Sequence, residues 1–383
     1  MATSGPVLRV TTPLAKGLAE EIRRGGPISF EAFMTRCLYD PAHGYYAVPG
    51  RMVGRSGDFR TSVSTGPVFG ELIAEWLAGR WGRLGCPGAV AVVEQGAHDG
   101  QLMADVLEAL GRRHPACREA ATPVVVEPLA TRRAVQRDRL AAMGESRRGP
   151  SPRWVESLDE AGSLAGGPAL FFANELLDAF PVDRWRFEGG QWHRMLVGLD
   201  VTGEGFEWRL DPSPRPRLPG MEAFAGGGWP DGYETETCPG LGGWVRELAG
   251  GLGGGSALVF DYGRVASDYF APHRSAGTLR GYYRHRRCDD PFAAPGQTDL
   301  TADVNFSVLM AEAGAAGLRV EGPERQGVFL TRLATRLLLE DPPPDDGWRR
   351  QFLTLTHPAH LGHQFFSLVL DSAPPREPIR TPA

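Results

Sequence analysis

The chain has 383 residues, a formal net charge of −5 and 42% hydrophobic residues, which is typical of a globular protein with a sizeable core. The acidic balance argues against a nucleic-acid or anionic-membrane surface. Its five scattered cysteines include no CxxC pair, so neither a zinc site nor a redox pair is predicted. No apolar run has the length of a signal peptide or a membrane span, and we therefore expect a cytoplasmic protein without metal, nucleic-acid or membrane partners.

The first part of the chain predicts short helices separated by polar turns. Leu14 to Gly25 is amphipathic, and a second helix follows Ser29, a residue type that is common at helix N-caps. A turn is predicted at residues 39–46. Residues 54–62 are predicted to form a loop rich in glycine and hydroxyl groups. Ordering such a loop is costly unless it binds a ligand. A third amphipathic helix is predicted from Phe69 to Trp81.

A strand, a glycine turn and a helix are predicted next. The apolar run 89–93 suits a strand buried on both faces of a parallel sheet, and it ends in Glu94 and a turn with Gly96 and Gly100. Glycine allows the backbone to approach a ligand, and the following helix points its N-terminus at that ligand.

The ligand of this turn can be narrowed from its residues. A dinucleotide site requires G-x-G-x-x-G, whereas His98 occupies the middle glycine position here. Glu94 would repel a phosphate but suits a cation, such as the amino group or sulfonium of S-adenosylmethionine. The pattern is closer to the first loop of a methyltransferase than to a nicotinamide loop, and a plain strand-to-helix turn is the alternative.

Two further strands end in polar residues. The strand that begins at Thr122 ends at Glu127, which is placed to accept hydrogen bonds from ribose hydroxyls; a surface acid at a strand end is the alternative. The strand that begins at Ala169 runs into Asn174 and Glu175, and Asp178 follows three residues later.

Asn174, Glu175 and Asp178 have two interpretations, one functional and one structural. Polar side chains at the carboxyl end of a central parallel strand lie where open α/β sheets bind ligands. The alternative is that Asn174 caps a helix whose first turn contains Glu175 and Asp178.

The second half of the chain predicts an antiparallel insertion and then a return to the sheet. Residues 182–210 alternate around Gly189 and Gly190, which predicts a hairpin. We interpret Arg280, Arg286 and Arg287 as a solvated or ion-paired face rather than a nucleic-acid patch. The remaining predicted elements are a helix at 241–252, a strand at 256–260, a helix at 306–315, strands at 318–321, 328–330 and 365–370 with the last at the sheet edge, and a disordered tail from residue 372.

An ordered series of motifs covers nearly the whole chain from residue 26 to about residue 370. Together they resemble the MidA family of S-adenosylmethionine-dependent methyltransferases, which includes the mitochondrial complex I assembly arginine methyltransferase. The motifs are G-P-I-S-F-x-x-F-M at 26–34, Y-x-P-x-x-G-Y-Y at 39–46, G-D-F-x-T-S at 57–62, F-G-E-L at 69–72, N-E-x-x-D-A-x-P at 174–181 and D-Y-G at 261–263.

The chain departs from the family pattern at two places. Val63 to Gly66 replaces the usual continuation P-E-I-S after Thr-Ser, and His98 replaces the second glycine of the family's first loop, E-x-G-P-G-x-G. Both places lie in segments that the resemblance assigns to cofactor or acceptor contact.

The resemblance implies an α/β fold of the class I methyltransferase type, with a doubly wound, mostly parallel sheet, an N-terminal helical cap and an antiparallel β insertion. It implies S-adenosyl-L-methionine as cofactor and a protein arginine guanidinium as acceptor. A small-molecule O- or N-methyltransferase and a catalytically weak, cofactor-binding assembly factor stay open, as does a homodimer. The expected cofactor-binding residues are Glu94, Gly96, His98, Gly100, Glu127, Gly57, Asp58, Phe59, Thr61 and Ser62, and the expected catalytic residues are Glu175, Asp178 and Asn174.

We expect five segments along the chain. They are a helical cap with a cofactor-covering loop at 1–85, the first half of the cofactor-binding core at 86–180, the antiparallel and helical insertion at 181–255, the second half of the core at 256–371 and the tail at 372–383.

Overall fold

The structure is a computed structural model that describes residues 11–48, 61–142, 149–218, 227–284 and 286–372. The chain divides into two units, and each unit is assembled from three separate stretches. The first unit contains Met1–Thr61, Leu177–Leu241 and Tyr262–Leu309, and the second contains Ser62–Leu176, Gly242–Asp261 and Met310–Ala383.

The helices and strands of the described residues are numbered in chain order. The helices are α1 Pro13–Gly25, α2 Phe30–Tyr39, α3 Val68–Arg83, α4 Gln101–Arg113, α5 Pro115–Ala120, α6 Ala130–Ala141, α7 Leu158–Ala165, α8 Leu241–Gly251, α9 Ala266–Tyr269, α10 Phe306–Ala315, α11 Gln326–Leu338 and α12 Asp346–Thr356. The strands are β1 Ile28–Ser29, β2 Val90–Gln95, β3 Ala121–Val126, β4 Arg153–Val155, β5 Ala169–Asn174, β6 Asp183–Glu188, β7 Gln191–Leu199, β8 Phe206–Leu210, β9 Tyr233–Thr237, β10 Ser256–Arg264, β11 Arg280–Tyr283, β12 Arg286–Cys288, β13 Asp299–Thr301, β14 Val304–Asn305, β15 Arg319–Arg325 and β16 Phe365–Asp371.

The second unit is built on a mostly parallel sheet, as predicted. Its strand order is β15-β16-β10-β5-β2-β3-β4, in which β10, β5, β2, β3 and β4 are parallel neighbours and β15 pairs antiparallel with β16. From β2 the chain winds outward to β3 and β4 on one side and continues to β5 and β10 on the other. The topological switch point, where such sheets bind ligands, therefore lies between β2 and β5.

The central strands β2 and β5 are buried along almost their whole length. Every residue of β5 is buried except Asn174, and every residue of β2 is buried except Gln95. Helices α3 and α4 pack closely against each other. A Cβ atom added at Gly70 of α3 would lie only 2.5 Å from the Cβ of Asp105 in α4. The strands thus present polar side chains only where they end.

The first unit contains the predicted antiparallel insertion and the first two helices. Strands β1, β7, β6 and β9 form a sheet in that order, with β8 paired to β7. The β6–β7 turn contains Gly189 and Gly190, both with positive φ, as this hairpin type requires. Ser29 caps α2 by accepting a hydrogen bond from the Ala32 N–H at 3.0 Å. Phe33 of α2 then packs against Phe206 of β8 in the apolar core.

Two predicted elements are wrong in type or in place. Residues 328–330 were predicted as a strand but lie inside α11, where Val328 is exposed while Phe329 and Leu330 are buried. A short apolar run does not by itself distinguish a strand from a helix. The strand at 365–370 is confirmed as β16, but it lies between β15 and β10 and not at the sheet edge.

Several expectations stay predictions. The five-segment division is untested, and the predicted tail falls, from residue 373 onward, outside the described residues. Within the described ranges, no helix combines the length and the apolar character that crossing a membrane requires.

Candidate functional site

The carboxyl ends of four parallel strands bring polar side chains to one edge of the sheet in the second unit. Glu94 lies at the end of β2, Glu127 directly follows β3, Asn174 and Glu175 lie at the end of β5, and Asp261 lies in the neighbouring β10. The register aligns them, since Gln95 pairs with both Val126 and Ala173, and Asn174 pairs with Phe260. The residues predicted from separate motifs therefore converge at the switch point.

The predicted glycine turn follows β2. Gly96 and Gly100 have φ values of 79° and 84°, in the region that favours glycine, and His98 adopts a φ of 47°. A Cβ at Gly96 would lie 3.1 Å from Cδ1 of Leu176, which follows β5. The turn is thus packed against the end of β5, and any side chain at position 96 would crowd that contact.

Glu94 is a buried carboxylate without a compensating cation among the described residues. It is 2% exposed, and its Oε2 atom has no hydrogen-bond partner there. Burial, with added repulsion from Asp99 and Asp105, raises the pKa of Glu94 to about 8, although the Met103 N–H opposes the shift. A buried polar atom without a partner is costly. A positively charged group placed beside Glu94 would satisfy this oxygen and favour its ionised form.

Gln136 of α6 joins the glycine turn to Glu127, and sequence reasoning missed it. Its Nε2 donates to Oε2 of Glu127 at 3.0 Å and to the carbonyl of His98 at 3.1 Å, while Trp154 Nε1 donates to its Oε1 at 3.1 Å. The Leu129 N–H donates to the other carboxylate oxygen of Glu127 at 3.0 Å. Burial raises the pKa of Glu127 despite these donors. A signal existed, since Gln136 occupies the inward-facing stripe of α6.

An ion pair fixes the outer side of the turn. Arg139 Nη2 lies 2.7 Å from Oδ2 of Asp99, and Arg139 Nε donates to the Asp99 carbonyl at 3.1 Å. Although burial raises the pKa of Asp99, the neighbouring His98 and Arg139 and the Gln101 N–H lower it to about 2. Asp99 is therefore ionised at neutral pH, and its contacts with Arg139 hold the turn in place.

Asn174 and Glu175 form a constrained pair at the end of β5. Asn174 Nδ2 donates to Oε1 of Glu175 at 2.9 Å, and the Asn174 Oδ1 atom is buried without a partner among the described residues. Glu175 has a φ of 53°, an uncommon conformation for a non-glycine residue. Backbone strain of this kind concentrates at functional sites, and here it occurs at the end of β5, next to Leu176, which packs against Gly96.

The helix described by the alternative interpretation is absent. Residues 175–180 form no helix but mainly bends and turns, so Asn174 caps no helix, and Glu175 and Asp178 do not share a first helical turn. The physical reason is a long-range contact. The Leu176 N–H donates to Oδ2 of Asp261 at 3.1 Å, which fixes a non-helical turn.

Asp178 belongs to the first unit, where it lies in a tyrosine-rich environment. Asp178 is 6% exposed, and its carbonyl accepts a hydrogen bond from the Ala302 N–H at 2.9 Å. Tyr46 donates its hydroxyl hydrogen to Oδ1 of Asp299 at 3.0 Å. Burial, followed by the charges of Asp299 and Asp178 among its neighbours, raises the pKa of Tyr46 well above its ordinary value. Asp178 and Asp299 therefore face the same buried phenol, a grouping that spacing alone did not reveal.

The remaining predicted cofactor residues are only partly described. Gly57, Asp58 and Phe59 lie outside the described residues, and Thr61 is buried in the first unit. Ser62 is fully buried in the second unit, where its hydroxyl donates to Oε1 of Gln326 in α11 at 3.2 Å. Their contact with a cofactor stays a prediction.

The residues at the sheet edge fit S-adenosylmethionine chemically. Glu94 offers an uncompensated acid to a cationic group, and Glu127 keeps carboxylate lone pairs for ribose hydroxyls beyond the two donors it already has. The turn with Gly96 and Gly100 allows close backbone approach. Phosphate has no comparable complement here, because Glu94 and Asp99 are both acidic.

Comparisons with known proteins agree with this chemistry. A family model described as S-adenosyl-L-methionine-dependent methyltransferase matches residues 72–324. The Drosophila melanogaster homolog of the mitochondrial protein arginine methyltransferase NDUFAF7 is 30% identical over 93% of this chain and 84% of its own. The human protein arginine methyltransferase NDUFAF7, also named mitochondrial, is 30% identical over 94% of this chain and 83% of its own.

A solved structure supports both the fold and the cofactor. The crystal structure of a protein from Burkholderia thailandensis bound to S-adenosyl-homocysteine shares 29% identity with a TM-score of 0.82, and the match covers 95% of each chain. A native structure of a Burkholderia thailandensis protein gives 30% identity and a TM-score of 0.78 over the same shares. The predicted class of fold and the predicted cofactor are thereby confirmed.

The same relatives correct one expectation. The cytoplasmic location predicted from the sequence is contradicted, because the Drosophila and human relatives are both named mitochondrial proteins. The absence of a signal-peptide pattern carried that prediction, and it does not distinguish the cytoplasm from an organelle.

Proposed function

Since the chain belongs to the S-adenosyl-L-methionine-dependent methyltransferase family, we propose that it transfers the methyl group to an arginine side chain of a protein. The relatives that are named protein arginine methyltransferases support this acceptor. The observation that carries the proposal is the strained Glu175, whose carboxylate accepts a hydrogen bond from Asn174 at the end of β5, a strand of the switch point. A guanidinium must be oriented and its charge balanced, and a carboxylate does both.

The residues that hold the cofactor follow from the edge of the sheet. Glu94 would balance a positive charge of the cofactor, and Glu127, oriented by Gln136 and Leu129, would accept hydrogen bonds from the ribose diol. S-adenosylmethionine supplies a methyl group on a sulfonium, which is a good leaving group for in-line displacement. The protein then contributes mainly alignment of the acceptor nitrogen and removal of its proton.

The acceptor is assigned to Glu175 at the end of β5. Glu175 would orient the guanidinium, while Asn174 Nδ2 keeps the Glu175 carboxylate in place. Asp178, the second carboxylate of the N-E-x-x-D motif, lies beside Tyr46 in the first unit, and its catalytic role stays a prediction. The assignment of Glu175 requires charge, so its neutral isostere tests it directly.

The acceptor itself can be identified by methylation of a protein extract from cells lacking arginine methylation. The extract is incubated with the protein and methyl-labelled cofactor and is then hydrolysed. Label in methylarginine supports the proposal. Label confined to the small-molecule fraction contradicts it and favours a small-molecule methyltransferase, and binding of cofactor without any transfer favours an assembly factor.

The role of Glu175 is tested by Glu175→Gln, which keeps the shape and removes the charge. We expect the dissociation constant for S-adenosylhomocysteine to stay within a few-fold of wild type, while methyl transfer falls by about 10²-fold, the scale of a lost acid–base or orienting group. The matched control is Glu156→Gln, since Glu156 follows β4 and forms an ion pair with Arg133 at 3.0 Å. Equal transfer by both variants would contradict the assignment.

A further inference from the structure

The first unit contains a cavity that none of the assigned cofactor or acceptor residues lines. Its volume is about 490 Å³. The backbone of residues 276–281 forms one wall, and the carboxylates of Asp289 and Asp303 also reach it. Its basic lining residues are Arg184, Arg264, Arg274, Arg280 and Arg287.

Three of these arginines share two carboxylates. Asp303 lies 2.7 Å from Nε of Arg264 and also pairs with Nη2 of Arg280. Asp268 lies 2.7 Å from Nη1 of Arg264 and 3.0 Å from Nη2 of Arg274. Within this group one positive charge exceeds the negative charges. The ion pairing predicted from the sequence is present for Arg280, and Arg287 lies 2.8 Å from Asp289.

Arg184 pairs with acids that do not line the cavity. Its Nη2 lies 2.6 Å from Glu234, which also pairs with Arg186, and Arg186 Nη1 lies 3.6 Å from Glu188. Its Nε atom lies 3.8 Å from Oε1 of Glu236, beyond hydrogen-bond distance. Burial raises the pKa of Glu236, whereas the charge of Arg184 lowers it.

Two donors of these arginines lack partners. The Nε atoms of Arg184 and Arg280 are both buried and have no hydrogen-bond partner among the described residues. A buried guanidinium N–H that donates to nothing is costly. An anion that enters the cavity would meet five arginines and two carboxylates in its lining.

We infer that this cavity binds a small organic anion that carries two or more carboxylate or phosphate groups. Planar guanidinium groups match the two oxygens of a carboxylate or phosphate. The volume sets the size of the ligand, because 490 Å³ lies within the roughly 300–1,000 Å³ range of small-molecule pockets and greatly exceeds the ~30 Å³ share of one water. A single inorganic anion would leave most of that space to solvent.

The inference does not depend on the proposed methyl transfer. The cavity is lined entirely by residues of the first unit, and none of them is assigned to the cofactor or to the acceptor. Failure of one proposal therefore leaves the other standing, and binding can be measured with no cofactor present.

Calorimetric titration of the full chain with citrate and with pyrophosphate tests the inference, with sodium chloride at matched ionic strength as the blank. Saturable binding of about one equivalent of either anion is expected. Arg280→Lys keeps the charge that pairs with Asp303 but removes the planar fork, and we expect about tenfold weaker binding, as for one lost charge-assisted hydrogen bond. Arg287→Gln, at the exposed rim, should weaken binding in the same direction.

A matched control separates the cavity from general surface charge. Arg332 has the same side-chain exposure as Arg287, 63%, and also forms an ion pair with an acid, Glu324 at 2.9 Å. Arg332→Gln should leave binding unchanged, and circular dichroism verifies that each variant is folded.

Three results would overturn the inference. They are the absence of saturable binding for both anions, equal losses in Arg332→Gln and the cavity variants, and binding of an oligoglutamate peptide by a protein that binds neither small anion. The last result would indicate an acidic polypeptide as the occupant instead.

Discussion

The burial of Glu94 predicts that cofactor affinity depends on pH in a defined direction. With a pKa of about 8, the carboxyl group is largely protonated at pH 6 in the free protein. A cationic ligand binds the ionised form, so each pH unit below 8 costs about tenfold in affinity, or ~1.4 kcal/mol. Between pH 8, where about half of the carboxyl groups are ionised, and pH 6, where about 1% are, the apparent affinity should therefore fall by about 50-fold.

Calorimetry with S-adenosylhomocysteine measures this dependence from pH 6 to pH 9. Titrations in two buffers of different ionisation enthalpy should show about one proton released per ligand bound near pH 6.5. The amino group of the ligand also titrates at alkaline pH, so the informative quantity is the difference between wild type and Glu94→Gln. A wild-type protein whose affinity follows that of Glu94→Gln at every pH would refute the reasoning.

The same carboxyl group affects the stability of the free protein. Because its folded pKa exceeds the ordinary value of 4.5, its stabilising contribution is complete below pH 4.5 and is lost as the pH rises through 8. The shift corresponds to roughly 3–5 kcal/mol as an upper bound. Glu94→Gln should therefore be more stable than wild type in denaturant unfolding at pH 9. Asp105→Asn removes another buried carboxyl group, whose pKa is raised by burial to about 6, and is the control: its gain over wild type should be nearly complete by pH 7 and should not grow between pH 7 and pH 9.

Two further substitutions test the edge of the sheet. Glu127→Ala should weaken S-adenosylhomocysteine binding at least tenfold, because charge-assisted hydrogen bonds to the ribose are worth about 1.5–3 kcal/mol each. It should also lower the melting temperature by a few degrees, because Gln136 loses an acceptor. Unchanged binding would assign Glu127 a structural role alone. Gly96→Ala should destabilise folding by about 1–2 kcal/mol, since alanine is strained at a φ of 79° and its Cβ would lie 3.1 Å from Leu176; unaltered thermal unfolding would contradict this.

The central strands and the acids at their ends were predictable because the signals are local. A run of buried β-branched residues identifies β2 and β3, and the carboxyl ends of parallel strands share one edge, so Glu94 and Glu127 were expected to meet there. A glycine turn was predicted after β2, and the structure has one, with positive φ at Gly96 and Gly100. The ordered series of motifs identified the cofactor, which composition alone could not have done.

The rest of the site depends on contacts between distant parts of the chain. The helix expected after Asn174 is replaced by a turn, because the Leu176 N–H finds Asp261, a residue 85 positions away. Gln136 acquires its role only when α6 is placed beside the turn that contains His98. The cavity arginines come from β6, β10, the segment after α9, β11 and β12, and no local pattern predicts that they line one space.

The position of β16 has a consequence for how the protein is made. This strand, Phe365–Asp371, lies between β15 and β10, so the sheet has a gap until residue 371 has been synthesised and has left the ribosome. While the ribosome still holds residues 365–371, the apolar strand β10 presents an unpaired edge to other chains. Growing chains of this kind are prone to aggregate and are typical clients of chaperones. A ribosome-bound chain stalled before residue 365 should therefore recruit chaperones more strongly than one stalled well after it.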